Sequence, residues 1–358
     1  MPELEKRITR IPIPVPLIRD MDVIIAKGIS GYATRTEFIV DAIQERIFEL
    51  TFEFLDGSNG PLGSTEVEIS SSSADEEVKK LITQWPGQFS EAPPLVTLIP
   101  IQQGFTVEAG ADRSNPEGRP LFGLHNRDFP SLWALSRLAM KAHLAPISVE
   151  EFYATVLNEA WAIGGLLAAN EKATGKKFTA LFPTNSEKRK SAETGFRMFA
   201  IGDYRPQSDG TFITSGPLFE WRVAALIGST NDPMIGLTSC GWELLSLLAG
   251  TSVDEPHPLP AATAFLAHLA EYSPADHSGF VMIIDAIGIE GSTRRDVLEH
   301  VARAWPNWTD NEVSTNSAGY IARAREWGLV QPKQYKSRYQ LTQFGKQYLS
   351  TTMNGAQS

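Results

Sequence analysis

Residues 309–350 read TDNEVSTNSAGYIARAREWGLVQPKQYKSRYQLTQFGKQYLS, and their periodicity decides how the chain is organised. Thr309 caps a helix, because its hydroxyl oxygen can accept a hydrogen bond from an otherwise orphaned first-turn amide. The helix places Val313, Ser317, Ile321, Ala324 and Gly328 on an inner face. On the same wheel Asn311, Thr315, Gly319, Ala322 and Arg323 point outward. Gly328 ends the helix, Leu329 and Val330 form a short strand, 331–337 a loop, and 338–341 the returning strand. Thr342 then caps a last helix. Upstream, 280–287 is an apolar helix and Ser292 caps another that runs to Trp305.

The same order appears earlier in the chain. Residues 132–143 carry a helical period, and Ser148 heads a longer apolar run to Ala169. Pro183 and Thr184 open a third helix through Phe199. Residues 218–227 then alternate as a strand, 229–233 supply a turn, and 234–237 return. The third helix buries Ala192, Gly195, Phe196 and Phe199, which turns Lys190, Thr194 and Arg197 to solvent. An internal match ties the two pieces together: Leu237, Thr238, Gly241, Leu245 and Ser246 recur as Leu341, Thr342, Gly345, Leu349 and Ser350. A leucine ending a strand and a threonine capping the next helix suit the exit of a hairpin. A generic strand-to-helix junction would read the same way, so tandem duplication stays one of two readings.

Helices followed by a hairpin carrying Lys333, Lys336 and Arg338 resemble winged-helix DNA-binding domains. That resemblance implies groove contacts by Asn311, Thr315 and Arg323, with the three hairpin cations near the neighbouring phosphates. In the earlier piece it implies contacts by Lys190, Thr194 and Arg197. The alternative is a winged helix that docks protein through an ordinary solvated face.

The first fifty residues form a smaller unit. Ile11, Ile13 and Val15 alternate with prolines as a strand with one buried face, a helix follows over 17–27, and Thr34 with Glu37 makes a capping box. Phe38, Ala42, Ile43 and Ile47 give that second helix an apolar stripe which so short a unit cannot hide alone. Prolines at 12, 14 and 16 remove amide donors from one strand edge only, so the other edge can still pair. This pattern, with KGISGYATRTEFIVDAIQERI at 27–47, resembles the ribbon-helix-helix family of dimeric DNA-binding proteins. The resemblance implies a homodimer whose core holds Ile11, Ile13, Val15, Phe38, Ala42, Ile43 and Ile47. It also implies base or phosphate contacts by Arg7, Thr9, Arg10, Thr34 and Arg35. The positions that would face bases include Pro12 and Pro14, which have nothing to donate, so readout falls to Arg10 and its neighbours.

Composition sets the outer bounds. With 358 residues, 42% hydrophobic and 21% charged, the chain is long enough for two or three packed units and too apolar for wholesale disorder. The net charge of -10 counts against nucleic acid, yet it is unevenly spread. Residues 51–120 carry eleven acidic side chains against four basic ones, whereas 291–348 carry nine basic against five acidic. A single cysteine, Cys240, forms no internal disulfide or zinc cluster, and no apolar run resembles a signal peptide or a membrane span. A cytoplasmic location is therefore expected.

Catalytic signals are weak. His125 beside Asp128 suits proton transfer only if a pocket holds both, and a local loop is the simpler reading. No histidines stand at metal-ligand spacing, and Gly175-Lys176 lacks the first glycine and the following Ser or Thr of a phosphate loop. The expectation is a mainly α protein with short β hairpins: a ribbon-helix-helix unit at 1–50 and an acidic Gly/Ser/Pro-rich linker at 51–128. Behind them come two tandem winged-helix-like domains at 129–250 and 279–350, with a linker at 251–278 and a flexible tail at 351–358. Such a protein would be a noncatalytic, cofactor-free, multivalent homodimer that binds double-stranded DNA sequence-selectively, with transcriptional regulation as its role. A protein-docking adaptor of a DNA-processing or defence assembly is the alternative.

Overall fold

Proline settles the first segment that the computed structural model describes. Helix α1 (Val15–Ala26) starts with Pro16 in its opening turn, where a missing amide hydrogen costs nothing and the ring presets φ. Val15, expected at the end of a pairing strand, therefore opens a helix instead. The structure describes residues 15–26, 35, 39, 126–174, 181–332 and 338–355. Ile11, Ile13, Phe38, Ala42, Ile43 and Ile47 lie outside the described residues, as do Arg7, Thr9, Arg10 and Thr34. So does the acidic stretch 51–120.

The described body is mainly helical with small antiparallel sheets. Its first half runs α2 (Phe129–Ala142), β1 (Ile147–Ser148), α3 (Val149–Thr174) and, after a short turn capped by Asn185, α4 (Arg189–Phe196). One π-helical turn, Arg197–Ile201, leads through Gly202 into the hairpin β2 (Asp203–Pro206) and β3 (Phe212–Ser215). Then come α5 (Pro217–Glu220), β4 (Ala224–Ser229), β5 (Asp232–Leu237) and α6 (Ser239–Leu247). Pro217 makes the beginning of the expected strand helical, so that strand starts later, at Ala224. The sheet order is β1-β5-β4.

The segment read as a linker over 251–278 holds helix α7 (Leu259–Tyr272) and the start of α8 (Pro274–Ile287). Its Phe265, Leu266 and Leu269 are fully buried, which no tether would be. The second half continues with α9 (Arg294–Ala304), α10 (Asp310–Glu326) and α11 (Gln343–Gly355). Helix α11 takes up Thr351–Gly355 of the expected tail. Thr293, rather than Ser292, caps α9 in a box with Asp296, because Ser292 is bridged to Tyr339. Thr309 and Glu312 make the equivalent box for α10.

The two halves repeat each other bond by bond. The strand before the second helix pairs with the returning strand in both, Ile147 with Ile235 and Ser292 with Tyr339. The hairpin closes through Ala224–Leu237 and Val330–Leu341. The Thr238 amide donates to the Val223 carbonyl at 3.1 Å and the Thr342 amide to that of Leu329 at 2.9 Å. Each threonine hydroxyl donates back to the residue before, Arg222 or Gly328, and accepts from the glycine three residues on. A Cβ on Gly241 would lie 2.2 Å from the Val223 oxygen, and one on Gly345 2.1 Å from that of Leu329. Helix and strand approach so closely that only glycine fits. One cluster of buried apolar side chains extends from Phe129 to Leu349 and takes in both repeats together with α7.

Candidate nucleic-acid interface and the ion network behind it

Arg323, expected to face a groove, is fully buried. Its Nε donates to Asp128 at 2.8 Å, and its two terminal nitrogens donate to both oxygens of Asp276 at 2.7 Å. The guanidinium lies over the rings of Phe280 and Tyr320, 4.6 and 5.0 Å from their centroids. The correction has a geometric cause. Helix α10 buries two stripes: Val313, Ser317, Ile321 and Ala324 face one way, while Asn316, Tyr320, Arg323 and Trp327 line the next strip of the wheel. A helix assumed to have one packed side gives its second buried stripe to solvent by mistake. Gly319 is also buried.

Around Arg323 the repeats exchange partners. Trp221 of the first donates its indole N–H to Asp276, in the first turn of α8, at 2.9 Å. Trp327 of the second donates to Asp128, at the start of α2, at 2.6 Å. Phe265 of α7 sits between the two indoles, stacked on Trp327 at 4.2 Å and edge-on to Trp221 at 5.0 Å. Tyr320 completes the Asp276 shell with a 2.6 Å bond, and Gly279 leaves the room its ring needs. Beside this set, Glu326 accepts from the Asp128 and Phe129 amides and from His257, with Arg127 3.2 Å away.

Burial by itself opposes ionising Asp276, but Arg323, helped by Tyr320 and Trp221, reverses the balance and holds its carboxyl below the usual value. Burial likewise opposes the Arg323 charge, and Asp128 with Asp276 more than restores it. Burial also works against Glu326, which Arg127 and His257 hold down. The network thus keeps its ions because each is hydrogen-bonded as well as paired. It is a structural joint with no surface for a ligand.

The remaining expected contact residues fall into three groups. Asn311 is exposed and Thr315 half-buried at the start of α10, where Arg294 of α9 donates to Ser314 at 3.0 Å. Arg338, on the returning strand, is exposed and donates to the Gly291 carbonyl at 2.6 Å, while Arg325 lies over Tyr339. Arg338 and Arg325 thus lie at the Ser292–Tyr339 bridge. Lys333 and Lys336 belong to the loop outside the described residues. In the first repeat Lys190 and Thr194 are exposed, the Thr194 hydroxyl donating to the Lys190 carbonyl. Arg197 is half-buried, paired with Asp203 at 3.3 Å and lying over Tyr153. Near the amino terminus Arg35 makes a two-pronged pair with Asp22 at 2.6 Å.

Sequence reasoning did not single out Arg294, Arg295 or Asp276, and it named Asp128 only beside His125, which lies outside the described residues. A signal for the joint exists: Glu-Trp stands at 220–221 and again at 326–327, just ahead of the internal match. Cys240 is buried, and its thiol, pushed up by that burial, donates to the Arg222 carbonyl. His268 and His277 are engaged by the Trp221 carbonyl and the Tyr348 hydroxyl. Among the described residues no cluster of side chains is arranged to hold a metal ion, and no helix is long and apolar enough to cross a membrane. No family model, curated protein or solved structure matches this chain.

Proposed function

We propose that this chain is a noncatalytic, cytoplasmic, homodimeric binder of double-stranded DNA acting in transcriptional regulation. In this reading the two repeats are winged-helix modules, and residues 1–50 form the ribbon-helix-helix dimer. The observation that carries it is an element order met in both repeats, helix, strand, helix, helix and a hairpin whose last strand pairs back onto the first, with β2, β3 and α5 inserted before that hairpin in the first repeat. In this reading one helix and one hairpin of a module address a groove and its flanking phosphates. In the second repeat Asn311, Thr315 and Arg338, with Lys333 and Lys336 in the adjoining sequence, supply the polar and cationic groups. Arg323 has no part in it.

The test is selection from a random duplex pool with the full-length chain at low salt, with mass in solution measured alongside. An enriched motif bound by a dimer is the expected result. A protein that retains no duplex from the pool overturns the reading. The adaptor alternative draws on a specific observation: the first repeat pairs Arg189 with Glu193 and Arg197 with Asp203, which leaves a face suited to protein. A stable protein complex without DNA retention would favour it.

A further inference from the structure

The shared backbone lets the surfaces of the two repeats be compared position by position. Aligning Ile147 with Ser292 through their strand partners sets the start of α3 against the start of α9. There Val149, Glu150 and Glu151 of the first repeat stand against Arg294, Arg295 and Asp296 of the second, so the charge reverses at one exposed position, Glu150 against Arg295. The hairpins differ in the same sense. The β4–β5 tip, 228–232, has no cation and ends in the exposed Asp232, whereas the second hairpin has Lys333 and Lys336 in its loop sequence and Arg338 beside it. The second cluster contains acids too. Asp296 is drawn down mainly by Thr293 and also feels Arg338 and Arg295, and Glu299 pairs with Arg295 across a helix turn. An exposed pair of this kind is worth little and gives way readily to a phosphate.

We infer that, of the two repeats, it is the second that holds the duplex, its phosphates met by Arg294, Arg295 and Arg338 around the Ser292–Tyr339 bridge, while the first repeat is turned away from them. The assignment rests on the DNA-binding reading above. Phosphate oxygens are attracted to Arg295 and repelled from Glu150 at the equivalent position, and the strand pairing that both repeats share there excludes a local difference in fold as the reason. The first repeat then acts as the rigid support that fixes α8, through Asp276, and α10, through Arg323.

Affinity of the full-length chain for a duplex, followed by fluorescence anisotropy over a salt series, tests this. Each phosphate contact removed lowers the slope of log affinity against log salt by about 0.9. The Arg294→Gln/Arg295→Gln variant is expected to lose slope by that measure for each arginine, and Arg189→Gln/Lys190→Gln to keep the parent slope. Because Arg294 also holds Ser314, Arg295→Glu alone, at a surface site, reads the same contact if the double variant does not fold. A parent slope in the α9 variants, or an equal loss in the α4 variant, overturns the assignment and leaves DNA binding standing. A parent chain that ignores duplex at low salt removes both.

Discussion

At the entry to its hairpin the first repeat places Arg222 at φ 58°, and the second places Gly328 at φ 69° in the equivalent position. Both carbonyls accept the hydroxyl of the capping threonine, at 2.6 and 2.5 Å. On the outside the resemblance ends, with Glu150 of the first repeat standing where the second has Arg295. The difference shows where physical constraint is strong. A glycine held against a carbonyl, a cap and a buried tryptophan each have few substitutes, so they persist in both copies. An exposed charge has many, so it is free to diverge.

The comparison breaks most severely at the joint. Replacing Arg323 with Met leaves Asp128 and Asp276 buried without their cation, which should cost about 3–5 kcal/mol of stability. Urea denaturation followed by tryptophan fluorescence measures this, with Trp221 and Trp327 reporting on the joint itself. A loss below about 1 kcal/mol would mean that the carboxylates find other partners and that the network is not what joins the repeats.

A smaller effect tests the equivalence of the two glycines. Gly241→Ala and Gly345→Ala each drive a methyl into a backbone carbonyl, so both should lose about 1–3 kcal/mol, and by similar amounts. Unequal losses in the same urea experiment would show that one helix can slide where the other cannot.

The smallest effect has opposite signs in the two copies. Arg222→Gly removes a left-handed strain and gives back part of the gain as chain entropy, for a net rise under about 1 kcal/mol. Gly328→Arg should lose about 1–2 kcal/mol. The midpoint of thermal unfolding for the pair decides the matter, and two shifts of the same sign would end the claimed correspondence.

Much of this fold was legible before any coordinates. Thr309 and Thr342 were identifiable as caps, Gly328 as a helix end, and the Leu-Thr-Gly-Leu match as a repeated junction, because each acts over a few residues. Two helix starts escape the strand pattern. Pro16 and Pro217 sit in first helical turns, a position that alternation within a strand pattern does not reveal. The 251–278 stretch passed for a linker because its proline-rich beginning masked the apolar helix after it. The candidate interface was half legible: Asn311, Thr315 and Arg338 face outward as expected, whereas Arg323 does not.

By itself the sequence determined most helices of the two repeats, the Thr309 and Thr342 caps and the matching junction after each hairpin, since hydrogen bonds to neighbouring amides and the period of apolar residues are local properties. Only the tertiary structure decided that Arg323 and both tryptophans point inward, that Asp128 and Asp276 meet, and that the repeats share one core. Those contacts join residues far apart in the chain. A polar side chain there is indistinguishable from a solvated one until the partner that would bury it has been placed.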